Sequence, residues 1–185
     1  MNKIPHNPDE IIAVVDDDDK IIGKTTRKEA HIKGLLHREA YNYLINSRKQ
    51  VLLHKRADNH LWDHSSSGHF PFEQDYKEGA IREFEEELGI KLNADEFKEI
   101  AKEKRTKTSH KGKNIRFIKI FLIKKDISIA DFKIDKGEVE EIKYFNINEL
   151  KKLLSHPDNL TGSAKYFIEK YILKEFGIKG IKSCC

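Results

Sequence analysis

A chain of 185 residues is long enough to bury a hydrophobic core and carry a cleft within one domain. Its residues are 38% hydrophobic and 36% charged, and no apolar run approaches the ~20 residues of a membrane span, which excludes a membrane-spanning class. The net charge of +4 is a small, interspersed excess of 35 basic over 31 acidic side chains, too weak to mark a nucleic-acid binder.

The opening Met1-Asn2-Lys3-Ile4-Pro5 lacks the apolar core of a signal peptide, so a cytoplasmic location is expected. Ile11–Val15 and residues 20–22 flank Asp16-Asp17-Asp18-Asp19 and read as a β-hairpin, with the four aspartates as a solvated turn. They lack the alternating ligands and glycine of a calcium loop. Residues 40–45, a polar turn at 46–49 and residues 51–53 read as strand, turn, strand. A polar loop over 56–68 follows, holding the only tryptophan, Trp62, expected to pack beneath it. The clearest helix spans about 76–88: Asp75 can cap it, Glu78 completes a capping box, and Gly89 supplies the stop.

Strands are expected near 97–106, 115–123 and 141–146, a short helix near 148–154 and a terminal helix near 162–175. The Lys-rich stretch 102–113 reads as solvated hairpin surface. Cys184 and Cys185 frame no disulfide core and end an unmodified tail over about 177–185. The elements predict an α+β fold, a mixed sheet sandwiched between helices with an N-terminal hairpin. The expected organisation is a single domain over 1–185, its core at about 35–175 and its hairpin at about 10–30.

The chemistry concentrates between Gly68 and Ile90. Glu83, Glu86 and Glu87 stand at i, i+3 and i+4 on one helix face. Like charges there repel, and near the helix C-terminus they oppose the macrodipole. A divalent cation between them reverses the sign of the interaction, and hard oxygen ligands suit Mg²⁺ or Mn²⁺. An ordinary charged face, with Arg82 and Lys91 close by, accounts for the triplet equally well when it is taken alone.

The wider spacing breaks the tie. Residues 68–90 resemble the Nudix box, G-x5-E-x7-R-E-U-x-E-E-x-G-U with U a bulky apolar residue. Gly68, Arg82, Glu83, Glu86, Glu87 and Gly89 hold fixed positions, and Phe84 and Ile90 the apolar ones. At background frequencies near ~6% each, six such matches arise by chance on the order of 10⁻⁷ per starting position, so the resemblance outweighs coincidence. It implies that Glu83, Glu86 and Glu87 bind metal and that Arg82 braces loop and helix. The box's first glutamate is replaced by Gln74, which brings no charge. Altered metal affinity is expected from that change, with Gln74 a weaker candidate ligand and Glu73 its substitute if the loop shifts by one residue.

Gly34-Leu35-Leu36-His37-Arg38, Leu52 to Ala57, Trp62-Asp63 and Ser67-Gly68-His69 are similar to the branch related to isopentenyl-diphosphate isomerase. That resemblance implies metal binding near His31, His37 and His69, with Glu138 and Glu140 matching two later glutamates; polar packing is the alternative reading of His37 and His69. The isomerase's cysteine before the Gly-His pair is Ser67 here, a poor substitute for a catalytic thiol. His54, His60, His64 and His110 are expected in surface or loop positions.

The function expected is metal-dependent hydrolysis of a phosphoanhydride bond in a small nucleoside-diphosphate-type compound. Glu138, Glu140 or Glu86 would serve as base, and Arg56 or Lys55 would steer the phosphates. Isomerisation of an isoprenoid diphosphate and diphosphate binding without turnover are the alternatives. The partner is a small molecule, with neither nucleic acid nor membrane involved, and a homodimer is the common state of such chains.

Overall fold

In a computed structural model describing residues 7–109 and 112–178, the acidic turn joins two strands. β1 (Ile11–Val15) and β2 (Ile21–Thr26) pair antiparallel. The expectations for Met1–Pro5, His110 and the cysteine tail lie outside the described residues.

The solvated turn needs one correction. Asp17 and Asp18 are exposed, but the Asp19 side chain is only 7% accessible. Asp19 stands at φ 62°, a region Asp tolerates, and this turns its carboxylate inward. There it accepts from Arg38 Nε at 2.7 Å and Tyr76 Oη at 3.0 Å, with Lys102 also in contact. Burial works against this carboxylate, but Lys102, Arg38 and Tyr76 outweigh it and hold its pKa below the usual aspartate value. Asp19→Asn keeps the shape and the left-handed backbone while removing the charge. It is expected to cost about 2–3 kcal/mol in urea unfolding, because two cations lose their buried partner.

α1 (Arg27–Lys33) was not expected. With one buried residue, Ala30, it shows no apolar periodicity; the Thr26 cap and Gly34 at φ 63° define it. β3 (Leu36–Ile45) and β4 (Val51–Arg56) form the predicted hairpin, longer than expected at both outer ends. β5 (Ser66–Gly68) pairs with the middle of β3, residues 40–42. α2 (Tyr76–Leu88) has the predicted capping box and ends on Gly89 at φ 70°. β6 (Lys98–Ser109), β7 (Gly112–Lys124), β8 (Val139–Phe145) and α3 (Ile147–Ser155) match their expected positions.

The terminal helix opens as α4 (Gly162–Phe167) and widens into a π turn over Ile168–Ile172 before Leu173–Glu175. In an unbroken α-helix Leu173 would stand about half a turn from Ala164. The wider turn brings it back, and both are fully buried.

The main sheet runs β6-β7-β3-β4-β8, with β5 beside β3. It is mixed because β3 and β7 are parallel while its other pairs are antiparallel. One face packs α2 through Ala80, Phe84 and Leu88. The opposite face packs α3 and the terminal helix through Leu150, Phe167 and Ile172. The α+β sandwich and its N-terminal hairpin are as expected.

Candidate active site

The packing of α2 fixes where its carboxylates point. Ala80, Phe84 and Leu88, four residues apart, face the sheet, and Asn42 Nδ2 donates to the Ala80 carbonyl at 2.8 Å. Glu83 and Glu87 occupy the adjoining stripe and are 5% and 2% exposed, whereas Glu86 is partly exposed and Glu85 fully so. Gly68 on β5 lies against Glu83. A Cβ at Gly68 would fall 2.3 Å from Glu83 Oε2, so any side chain there displaces the carboxylate. Gly68→Ala is expected to cost about 1–3 kcal/mol in urea unfolding through overpacking. It should also reduce metal-dependent turnover by roughly 10- to 100-fold through the shift of Glu83.

Arg82 and His54 face this carboxylate stripe. Arg82 Nη2 donates to Glu83 Oε1 at 2.8 Å, the His69 carbonyl at 2.9 Å and Glu10 Oε1 at 3.0 Å, and Nη1 lies 3.5 Å from Glu86 Oε1. Glu87 Oε2 lies 3.2 Å from His54 Nδ1, and Glu87 Oε1 accepts from the Ser67 amide at 3.4 Å. Burial raises the Glu87 carboxyl, His54 opposes this and Glu138 adds to it. His54 is buried too, but Glu87 outweighs that burial and raises the imidazole pKa. Buried carboxylates gathered on one helix face are a donor set that suits a hard divalent cation.

A second constellation lies beside the first. His31 from α1, His37 from β3 and His69 from the loop after β5 converge. His69 Nε2 lies 3.1 Å from Nε2 of His37 and of His31. Burial lowers the pKa of all three, His31 to about 4, which leaves neutral imidazoles able to offer nitrogen lone pairs. The carboxylate facing them is Glu39, whose Oε1 lies 3.2 Å from His69 Nε2. Burial acts against Glu39, but Arg116 first, with His69 and His37, holds its pKa well below the usual range. Arg116 Nε and Asn114 Nδ2 both donate to Glu39 at 2.9 Å.

Neither predicted glutamate joins the histidines. Glu138 is buried in the neighbourhood of Glu87. Glu140 accepts from Lys55 at 2.8 Å and contacts exposed His60, so Lys55 and Glu140 engage each other instead of lining the cleft. The cause is strand geometry: Glu138 sits just ahead of β8, while Glu140 is within it and turned outward.

The NUDIX domain model matches residues 35–171, three quarters of the chain, and takes in the carboxylates of α2 together with His37 and His69. The chain belongs to the Nudix family. An uncharacterized Nudix hydrolase of Clostridium acetobutylicum is 29% identical over 180 residues, 91% of this chain and 83% of the relative. An isopentenyl-diphosphate Δ-isomerase of Pectobacterium atrosepticum is 35% identical over 85 residues. That match covers 43% of this chain and only about half (48%) of the isomerase. Among solved structures, DR0079 from Deinococcus radiodurans superposes with a TM-score of 0.66 at 15% identity, covering 87% of this chain and 98% of that one. This chain is a Nudix hydrolase, and Nudix enzymes generally use divalent metal ions.

A cleft of about 1230 Å³ opens over both constellations of the hydrolase, lined by Glu83, Glu138, His31, His69, Arg56 and Arg116 among others. Arg56 is held by Asp58 at 2.9 and 2.8 Å, with Asp63 3.4 Å away. The Gln74 Oε1 atom is buried without a hydrogen-bond partner. Ser67 lines the cleft at the position where the isomerase resemblance asks for cysteine.

Two histidines correct the expectation of surface or loop placement. His54 on β4 and His64 are 2% and 1% exposed, His54 against Glu87 and His64 between Tyr43 and Asp63. Trp62 packs edge-on against Phe145, centroids 4.8 Å apart, as a packing residue should. Glu10, Glu39 and Arg116 were not singled out in the sequence, and His54 was given no role there. For Glu39 a signal exists, since His37, Glu39 and Tyr41 alternate onto one strand face. Among the described residues no helix is long and apolar enough to cross a membrane.

Proposed function

We propose that this hydrolase cleaves a phosphoanhydride bond in a small nucleoside-diphosphate-type compound, with Mg²⁺ or Mn²⁺ held by Glu83, Glu86 and Glu87. The supporting observation is the pairing of buried Glu83 and Glu87 on one face of α2, beside buried Glu138 and under an open cleft. When bound, the cation neutralises phosphate oxygens and activates water.

The chain supplies the rest. Arg82 fixes Glu83 while holding the His69 loop by its carbonyl. Glu138 is the carboxylate placed to take a proton from the attacking water, with Glu86 the in-box alternative. Arg56 is oriented by Asp58 and Asp63 at the cleft, where its positive charge would attract an entering phosphate.

The histidine cluster favours a second reading, because its nitrogen donors fit a metal site of the isomerase kind. Ser67 opposes isomerisation: its hydroxyl ionises far above a thiol and makes a poor proton carrier. The test is phosphate release from a panel of diphosphate compounds under Mg²⁺ and Mn²⁺, with a phosphatase added to reveal monophosphate products. Isopentenyl diphosphate is assayed in parallel for both cleavage and isomerisation. Metal-dependent release that disappears in Glu86→Gln supports the proposal. Isomerised product without release would replace it with the second reading, and silence in both assays would favour a binding role.

A further inference from the structure

We infer that Glu10, just ahead of β1, is a positioning residue for the carboxylate site: it shares the Arg82 guanidinium with Glu83 and Glu86 and so limits how strongly that arginine competes with a divalent cation for their oxygens. This rests on the proposed role of those glutamates and goes beyond it, since Glu10 lies outside residues 68–90 and brings a carboxylate from the N-terminal hairpin.

Three carboxylates share the Arg82 guanidinium. Nη2 divides itself between Glu10 at 3.0 Å and Glu83 at 2.8 Å, while Nη1 stands 3.5 Å from Glu86. With Glu10 neutralised, a larger share of the arginine's charge falls on Glu83 and Glu86 and competes with a cation for the same lone pairs. Gln74, the one position inside the segment where a further carboxylate is expected, offers only an amide.

The placement of Glu10 is over-determined. Its carbonyl accepts from the Arg27 amide at 2.8 Å, tying it to α1, and the next carbonyl, of Ile11, accepts from the Phe72 amide at 2.9 Å. The side chain is 17% exposed and lies at the cleft. These backbone bonds to α1 and to the loop after His69 fix the main chain from which the Glu10 carboxylate reaches Arg82.

The experiment is calorimetric titration of Mn²⁺ into the EDTA-stripped full chain, run on wild type, Glu10→Gln, Glu10→Asp and Glu86→Gln. Thermal melting without metal and phosphate release against Mn²⁺ concentration accompany it. The site that Glu86→Gln removes should bind Mn²⁺ roughly tenfold more weakly in Glu10→Gln, the scale seen when a group supporting metal ligands is lost. The Mn²⁺ concentration for half-activation should rise by the same factor, while turnover at saturating Mn²⁺ stays within about twofold. Glu10→Asp, which keeps the charge, should fall between the two and serves if glutamine prevents folding. A lower melting temperature with an unchanged Mn²⁺ constant would make Glu10 merely structural and overturn the inference alone. Persistence of the site in Glu86→Gln would overturn the carboxylate reading and this inference with it.

Discussion

Replacing Glu87 with glutamine is expected to lower metal-dependent phosphate release by about 10³-fold, equivalent to about 4 kcal/mol of transition-state stabilisation. Glutamine matches the shape of the side chain, so the loss is one of charge. Glu87 is 2% exposed and lies against His54. In such a low-dielectric position the attraction between a carboxylate and a divalent ion is far stronger than at the surface, and the amide retains little of it. Glu85, one turn-face away and exposed, is the control: Glu85→Gln should stay within about twofold of wild type. Turnover at several Mg²⁺ concentrations, with melting curves to show that both variants fold, checks the result. Equal activity in Glu87→Gln and Glu85→Gln would remove Glu87 from the metal site.

Metal-free protein should lose stability steeply as pH falls from about 6.5 towards 4, before most carboxylates titrate. Burial first lowers the His64 pKa to about 4, with Asp63 opposing it. An unfolded chain takes up the histidine proton below about 6.5, while the folded one resists until about 4. The unfolded state therefore binds more protons across that window, and stability falls with pH. For His64 alone the full difference is roughly 3 kcal/mol, a large part of the 5–15 kcal/mol typical of a domain. His31, His37 and His69 are lowered by burial and act in the same direction, the half-buried His31 least. His54 works the other way: its raised pKa gives stability that is present below about 6.5 and lost as pH rises through its folded value. Glu87 and Glu10, raised by burial, also work that way, and the four depressed histidines outweigh these three groups in setting the net sign. Urea midpoints at pH 7.5, 6 and 5 in EDTA measure the slope, and His64→Gln should flatten it. A midpoint that does not move between pH 7.5 and 5 would show that these imidazoles are not held neutral.

The sequence alone determined α2 and the carboxylates on it. Asp75, Glu78 and Gly89 bound the helix through contacts within one turn, and the spacing of Glu83, Glu86 and Glu87 depends only on the helical repeat. The acidic hairpin was legible for the same reason: two apolar runs around an acidic turn are a local pattern. Gly68 belonged to the recognised segment, but the reason for glycine, the Glu83 carboxylate 2.3 Å from where a Cβ would stand, needed the fold.

Only the tertiary structure decided what surrounds that helix. The parallel pairing of β3 with β7 sets His37 opposite Arg116 and brings Arg116 onto Glu39, a juxtaposition with no short-range pattern to announce it. His54 and His64 looked like loop histidines because their burial depends on β4 being interior to the sheet, between β3 and β8. Asp19 looked solvated because its partners, Arg38, Tyr76 and Lys102, come from three separate elements. Glu10 reaches Arg82 only because the hairpin docks against the loop ahead of α2. Local spacing encodes which side chains share a face; which faces meet is set by the strand order, and that follows from burying both sides of the sheet at once.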